Sequence, residues 1–179
     1  MNPSPSPSTG SNAPSAATRT VPAPVLVELV RAIVAAGGSS AEEADLVATN
    51  LVEANLRGHD SHGVGMMPRY VDSLKEGGLG VNESVAVQLD TGPLLRLDGR
   101  HGYGQVIGRQ AMALGIERAR QHGVCVVGLS HAHHLGRIGH WAEQCADAAL
   151  VSIHFVNVLS RPIVAPFGGR DARIGTNPF

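Results

Sequence analysis

His59-Asp60-Ser61-His62 places two imidazoles, a carboxylate and a hydroxyl in four consecutive positions, between apolar runs at 46–56 and 64–74. Such groups at a break between apolar segments serve either as a helix cap or as a proton-transfer site, and the two readings are compatible. Asp60 or Ser61 is a suitable N-cap, because its side-chain oxygen can accept a free backbone N–H of the next helix. That cap would leave His62 in the first helical turn. There the positive end of the helix dipole disfavours imidazolium and should lower the pKa. A neutral imidazole held at a helix start suits general acid–base chemistry near neutral pH. A capped helix with incidental histidines is the alternative.

A second concentration of chemistry is Ser130-His131-Ala132-His133-His134-Leu135-Gly136-Arg137-Ile138-Gly139-His140. It follows an apolar run that reads as a strand and opens a helix, the usual place for ligand-facing residues in α/β proteins. Three readings stay open. His131, His133, His134 and His140 could supply nitrogen donors to zinc, although the spacing is neither H-E-x-x-H nor a closed finger pattern and no cysteine or carboxylate stands within it. The segment could be a cofactor or substrate loop, with Gly136 and Gly139 letting a ligand approach the backbone. Its histidines could also be structural. Gly102-Tyr103-Gly104-Gln105-Val106-Ile107-Gly108 invites comparison with a dinucleotide-binding turn. Its third glycine is one residue late for G-x-G-x-x-G, and no acidic residue closes a second strand about 20 residues on. A tight turn admitting a helix start is the better reading.

These segments need elements to hold them. Leu26, Leu29, Val30, Ile33 and Val34 at helical spacing predict a helix over 25–36, stopped by Gly37-Gly38. Ser40-Ala41-Glu42-Glu43 reads as a capping box for a helix reaching about Arg57. A third helix follows the His-Asp-Ser-His segment and ends near Gly77-Gly78. Alternating residues 85–89 and 94–97 predict strands on either side of Thr91-Gly92-Pro93. A helix is expected over 105–121, with Ala111, Leu114, Ile116 and Ala119 on its packing face. Residues 124–128 read as a buried strand, 136–149 as a helix and 150–158 as another strand. The alternation implies an α/β fold with helices against a sheet. The chain stops inside Gly175-Thr176-Asn177-Pro178-Phe179, a loop-like turn on which a natural domain rarely ends, so a truncated chain is expected.

Composition mainly excludes. The first 20 residues have a Pro/Ser repeat and almost no large apolar side chain, so a disordered tail is expected there. They lack the apolar core of a secretory signal, and no run reaches the length of a membrane span, which implies a soluble, cytoplasmic protein. A net charge of −1 and 3% aromatic residues offer nothing to nucleic acid. Cys125 and Cys145 sit in apolar settings and read as buried, reduced thiols rather than a disulfide or a metal pair.

Five motifs carry a resemblance. Gly58-His59-Asp60-Ser61-His62-Gly63-Val64 is followed by Pro68-Arg69-Tyr70, His134-Leu135-Gly136, Ala165-Pro166-Phe167-Gly168-Gly169 and Gly175-Thr176-Asn177-Pro178. In order and rough spacing these resemble the malate/L-lactate dehydrogenase family, which is distinct from the Rossmann-fold lactate and malate dehydrogenases, and within it the hydroxycarboxylate branch. The resemblance runs from Val25 to Phe179. It implies a family-specific, sulfolactate-dehydrogenase-like α/β fold with a non-Rossmann mixed sheet and an N-terminal helical region. Residues 21–80 would form that helical region and 81–179 an incomplete NAD(P)-binding region. It also implies NAD- or NADP-dependent hydride transfer between 2-hydroxy and 2-oxo acids. His62, His134 and Ser61 would be catalytic. Cofactor contacts would fall to His62, Gly136, Arg137, Ile138, Gly175, Thr176 and Asn177, with no metal and with a homodimer as the full-length assembly.

Two departures matter. Met66 stands where many members carry an arginine for the substrate carboxylate, so Met66 and Met67 would suit a longer apolar 2-oxo acid better than a dicarboxylate. Family chains are also roughly twice as long. The chain resembles an N-terminal half, expected by itself to bind NADH weakly or not at all and to reduce no 2-oxo acid above background, and a non-catalytic homologue that keeps only the fold or an oligomer interface is the competing class.

Overall fold

Two layers position the histidines, a helical one from the first part of the chain and a small sheet from the second. The computed structural model describes residues 20–159 and 162–176. The tail expected over residues 1–20 therefore lies outside the described residues but for Thr20, as does Asn177. Helices α1 (Ala23–Ala36) and α2 (Ala41–Leu56) pack as a pair, followed by two single turns of 3-10 helix and by α3 (Met67–Lys75). Strands β1 (Ala86–Asp90) and β2 (Leu94–Asp98) precede α4 (Gly104–His122), β3 (Val126–Ser130) and α5 (Gly139–Asp147). The expected helices and the first three strands are all present, within a few residues of their predicted limits.

α2 starts where the capping motif places it. Ser40 Oγ accepts from the Glu43 N–H at 3.2 Å. The return arm of a capping box is not made. Ser40 N–H donates instead to Asn82 Oδ1 at 2.7 Å, and the buried Glu43 carboxylate accepts from Ser39 Oγ and from Asn82 N–H. Asn82 thereby clasps the start of α2 to the end of the helical layer, from a left-handed backbone conformation (φ 59°) that asparagine tolerates better than most residues.

The main core gathers Val30 and Val34 of α1, Val47, Ala48 and Leu51 of α2, Met67 and Tyr70 of α3, and Tyr103 and Val106 at the start of α4. Of the apolar residues whose spacing marks α1, Val30 and Val34 are buried while Leu29 is more than half exposed. The sheet has the order β1-β2-β3, antiparallel between β1 and β2 and parallel between β2 and β3. This is a mixed sheet, and α4 is the crossover that a parallel pair requires. Leu95 and Leu97 of β2 pack with Ala111 of α4, and Val127 and Leu129 of β3 flank them.

Two strand expectations need correction. β3 is not buried: its residues alternate between exposed and half-buried, and Val126 is 60% exposed. α4 covers only one face of the sheet, so a continuous apolar run does not bury both. Residues 151–159 form no strand, although their exposure alternates residue by residue. A period of two specifies an extended backbone, not its place in a ladder.

Candidate active site

The chain does not pass directly from α2 into α3. It makes one 3-10 turn at Asp60–His62, an extended step at Gly63, and a second turn at Val64–Met66. The N-cap expected at Asp60 or Ser61 is not formed, because no side chain caps the first turn and α3 begins only at Met67. Asn55 causes this. Its Oδ1 accepts from Val64 N–H at 2.8 Å and its amide nitrogen donates to the Asp60 carboxylate, which turns Asp60 back toward α2. A Cβ on residue 63 would lie 2.1 Å from that Asn55 oxygen, so Gly63 lets the Asn55 amide keep both of these hydrogen bonds. His62 is therefore not in the first turn of α3. Its pKa is lowered, as expected, but through burial first and the neighbouring His59 second, not through a helix dipole.

The second segment is pinned from below. His133 N–H donates to Gly102 O at 3.1 Å, and Trp141 Nε1–H donates to Leu135 O at 3.1 Å. Gly136 turns the chain with φ 70° over the buried side chain of Asn50. Gly104, the first residue of α4, lies against the His133 and His134 carbonyls with no room for a Cβ. The glycine turn at 102–104 thus admits a helix start, as its spacing suggests, and also lets this backbone approach.

The two segments meet at their histidines. The rings of His62 and His134 stack with centroids 5.4 Å apart and planes 21° apart. Ser61 Oγ lies 2.9 Å from His62 Nδ1. On the inner side, Tyr70 Oη lies 2.7 Å from His134 Nδ1, and Gln105 Nε2 donates to Tyr70 Oη at 2.8 Å. Tyr70 and Gln105 are 1% and 2% exposed. Burial, aided by His62, His133 and Arg69, pushes the His134 pKa down to about 4, and burial also lowers that of His133. Both stacked imidazoles are neutral near neutral pH.

That depression has a sign for stability. A histidine kept neutral in the fold but free to protonate when unfolded contributes fully above its unfolded pKa, and the contribution is lost as pH falls toward the folded value. For His134 the window runs from 6.5 down to about 4. Urea midpoints are expected to fall between these pH values, and less steeply in His134→Gln. An unchanged slope in the variant would contradict the burial of a neutral imidazole.

The remaining expected residues divide. Arg137 is fixed by two bonds to Glu143, at 2.6 and 3.1 Å, with Glu53 at 3.8 Å, so its guanidinium is engaged within the protein. Ile138 is the N-cap of α5. Gly175 packs against Val158 O, beside the isolated bridge between Val164 and Ile174, with Thr176 next to it. The four histidines of the second segment do not converge on a metal. His131 pairs with Asp98, His133 packs edge-on to Tyr70, His134 meets Tyr70 and His62, and His140 faces Glu53. Among the described residues Glu53, His140 and Glu143 do have ligand spacing, but Arg57 and Arg137 pair with their carboxylates. Cys125 and Cys145 are free thiols, and only Cys145 is buried. Met67 belongs to the core, and Met66 packs against it while keeping some exposed surface. Among the described residues Arg69 makes no ion pair, and its charge is felt at both His133 and His134.

Sequence reasoning missed Tyr70, Gln105, Asn55 and Asn50. Tyr70 gave one signal, since a tyrosine on the apolar face of a helix must find a partner for its hydroxyl when buried. The others had none. Asn50 Oδ1, Gln105 Oε1 and His133 Nδ1 are buried without a hydrogen-bond partner among the described residues. No described helix is long and apolar enough to cross a membrane.

Comparison with known proteins agrees with this architecture. The chain is 53% identical over 157 residues to hydroxycarboxylate dehydrogenase B of Escherichia coli (strain K12), a match covering 88% of this chain and 44% of the relative. A solved structure of a proposed malate/lactate dehydrogenase from E. coli superposes with a TM-score of 0.82 at 52% identity, over 87% of this chain and 43% of that one. The sulfolactate dehydrogenase of Methanocaldococcus jannaschii superposes with a TM-score of 0.75 at 31% identity, over 87% and 44%. The chain thus spans less than half the length of these relatives and shares their helical region and mixed sheet. The sequence profile of malate/L-lactate dehydrogenase matches residues 21–179, and the chain belongs to that family.

Proposed function

We propose that this chain forms part of an NAD(P)-dependent oxidoreductase that interconverts 2-hydroxy and 2-oxo acids. The observation that carries the reading is the stacked pair of neutral imidazoles, His62 and His134, contributed by segments far apart in the chain. A polar ligand such as a dinucleotide fits the surroundings: Gly136 makes a left-handed turn directly over Asn50, and the buried Asn50 Oδ1 and Gln105 Oε1 lack hydrogen-bond partners among the described residues. His62, Gly136, Arg137, Ile138, Gly175, Thr176 and Asn177 would hold it, Arg137 through its backbone because its side chain is engaged. When bound, the nicotinamide supplies or takes up a hydride.

The chain's own residues supply the rest. A 2-oxo acid carbonyl beside the imidazoles gains negative charge as it is reduced, and hydrogen-bond donors fixed there stabilise that charge. His62, with Ser61 at its Nδ1, exchanges the proton: as a neutral imidazole it takes the hydroxyl proton of a 2-hydroxy acid, and in reduction it first gains from solvent the proton that it gives to the oxyanion. Arg69 offers the substrate carboxylate a cation in place of the arginine that Met66 replaces, and Met66 favours an apolar substrate tail.

The test is NADH and NADPH oxidation, followed by absorbance, with a panel of short, branched and dicarboxylic 2-oxo acids. It is run on this chain and on E. coli hydroxycarboxylate dehydrogenase B with residues 21–179 exchanged for its matching segment. The exchanged enzyme is expected to turn over 2-oxo monoacids. A folded exchanged enzyme that binds NADH but reduces none of them would overturn the proposal.

A further inference from the structure

We propose that Tyr70 and Gln105 are positioning residues that lock His134 as the Nε2–H tautomer, so that this imidazole presents a fixed neutral N–H donor to whatever lies beside His62. Gln105 sets the order of the hydrogen bonds. Its amide nitrogen can only donate, and it lies 2.8 Å from Tyr70 Oη. The phenol oxygen accepts that bond, which leaves its own O–H to point at the remaining polar neighbour, His134 Nδ1, 2.7 Å away. A nitrogen that accepts a hydrogen bond carries a lone pair. The imidazole proton must then sit on Nε2, at the ring position not engaged by Tyr70.

Everything around the phenol keeps this arrangement. Tyr70 and Gln105 are nearly inaccessible, and Tyr103 and His133 pack edge-on to the Tyr70 ring at centroid distances of 5.7 and 5.2 Å. Burial raises the Tyr70 pKa well above its ordinary value, so the phenol stays a donor. The order of the three groups follows from chemistry: an amide N–H donates to a phenol oxygen, and the phenol O–H to an imidazole nitrogen. α3, α4 and the 131–138 segment each contribute one member.

A division of labour between the stacked rings follows. His134, kept neutral and held in one tautomer, acts as an oriented donor and does not exchange protons near neutral pH. Proton exchange falls to His62, whose Nδ1 faces a serine hydroxyl that can either donate or accept. The tautomer is a property of the protein alone. Only its use toward a 2-oxo acid rests on the function proposed above.

The test is long-range 1H–15N correlation of the histidine rings in the 15N-labelled 179-residue chain, with His134 assigned by its disappearance in His134→Gln. A single Nε2-protonated tautomer for His134 is expected near neutral pH. Tyr70→Phe should replace it by a mixture of tautomers, and Gln105→Leu should do so in part. A wild-type His134 protonated on Nδ1, or an even mixture, would overturn the proposal without recourse to any variant. So would a folded Tyr70→Phe protein with unchanged His134 signals. The Nε2–H tautomer in a protein without turnover would support the positioning role and remove only the reaction, whereas turnover with the other tautomer would do the reverse.

Discussion

Substitution of His62 by alanine is expected to lower turnover by about 10² to 10⁴, the usual worth of a positioned acid–base group. The measurement is steady-state kinetics in the enzyme carrying residues 21–179. The effect should fall on kcat more than on KM, because the proton is needed only as the carbonyl is reduced. His62 is held by one loop whose geometry depends on Asn55 and Gly63, so its removal leaves the core of Val30, Leu51 and Tyr70 intact. A folded His62→Ala enzyme that loses less than about threefold would be inconsistent with a proton-transfer role. His134→Gln should also slow turnover but without moving the pH dependence, if His134 serves as the proposed donor while His62 titrates.

The second large effect is structural. Gly104→Ala is expected to cost about 3 kcal/mol or more, toward the upper end for overpacking. The new Cβ would lie 2.1 Å from His134 O, 2.5 Å from His134 C and 2.7 Å from His133 O, all of them backbone atoms. No side chain can rotate to relieve the collision. The His133–His134 backbone must move, taking with it the ring that stacks on His62, so activity should fall further than stability alone requires. Gly63→Ala is the informative contrast. Its collision is with the Asn55 amide, which can swing away at the expense of its two hydrogen bonds, so a smaller loss, roughly 1–2 kcal/mol, is expected. Urea denaturation of both variants measures this. Equal costs, or a Gly104→Ala cost below about 0.5 kcal/mol, would contradict the packing described.

The sequence was most legible where local signals and burial agree. α1, α2 and α4 were visible as apolar spacings with glycines or a serine cap at their ends, and the observed helices begin and end close to those signals. The strands β1 and β2 were visible as alternation around Thr91-Gly92-Pro93. The same alternation at 150–158 marks only an extended segment, because nothing local encodes which strand a segment will pair with. The apolar run at Val126 carries no information about how many layers cover it. The His-Asp-Ser-His segment looked like a cap because its residue types are those of caps, yet an amide at Asn55, in the preceding helix, fixes the turn.

The two histidine segments stood out by composition, but their meeting did not. Tyr70 and His134 are 64 positions apart, and a hydrogen bond at that separation leaves no periodic trace. Gln105 was visible only as a polar residue in the first turn of a helix, where exposure is the ordinary expectation. The arrangement that orients His134 is thus a product of packing among three elements. Resemblance to the malate/L-lactate dehydrogenases pointed to His62 and His134 and included Arg69-Tyr70 only as part of a motif, and the geometry places Tyr70 and Gln105 behind His134.

If a 2-oxo acid is reduced beside the His62–His134 stack, the hydrogen gained at its C2 comes from C4 of the nicotinamide. The most direct measurement is isotope transfer, in which the enzyme carrying residues 21–179 reduces a 2-oxo monoacid with nicotinamide deuterated on one face of C4. Mass spectrometry then locates the label. Deuterium from one face only, appearing at C2 of the 2-hydroxy acid and lost together with turnover in His62→Ala, is the predicted result. Deuterium absent from C2 while the reduced cofactor is consumed, or label transfer undiminished in His62→Ala, would contradict it.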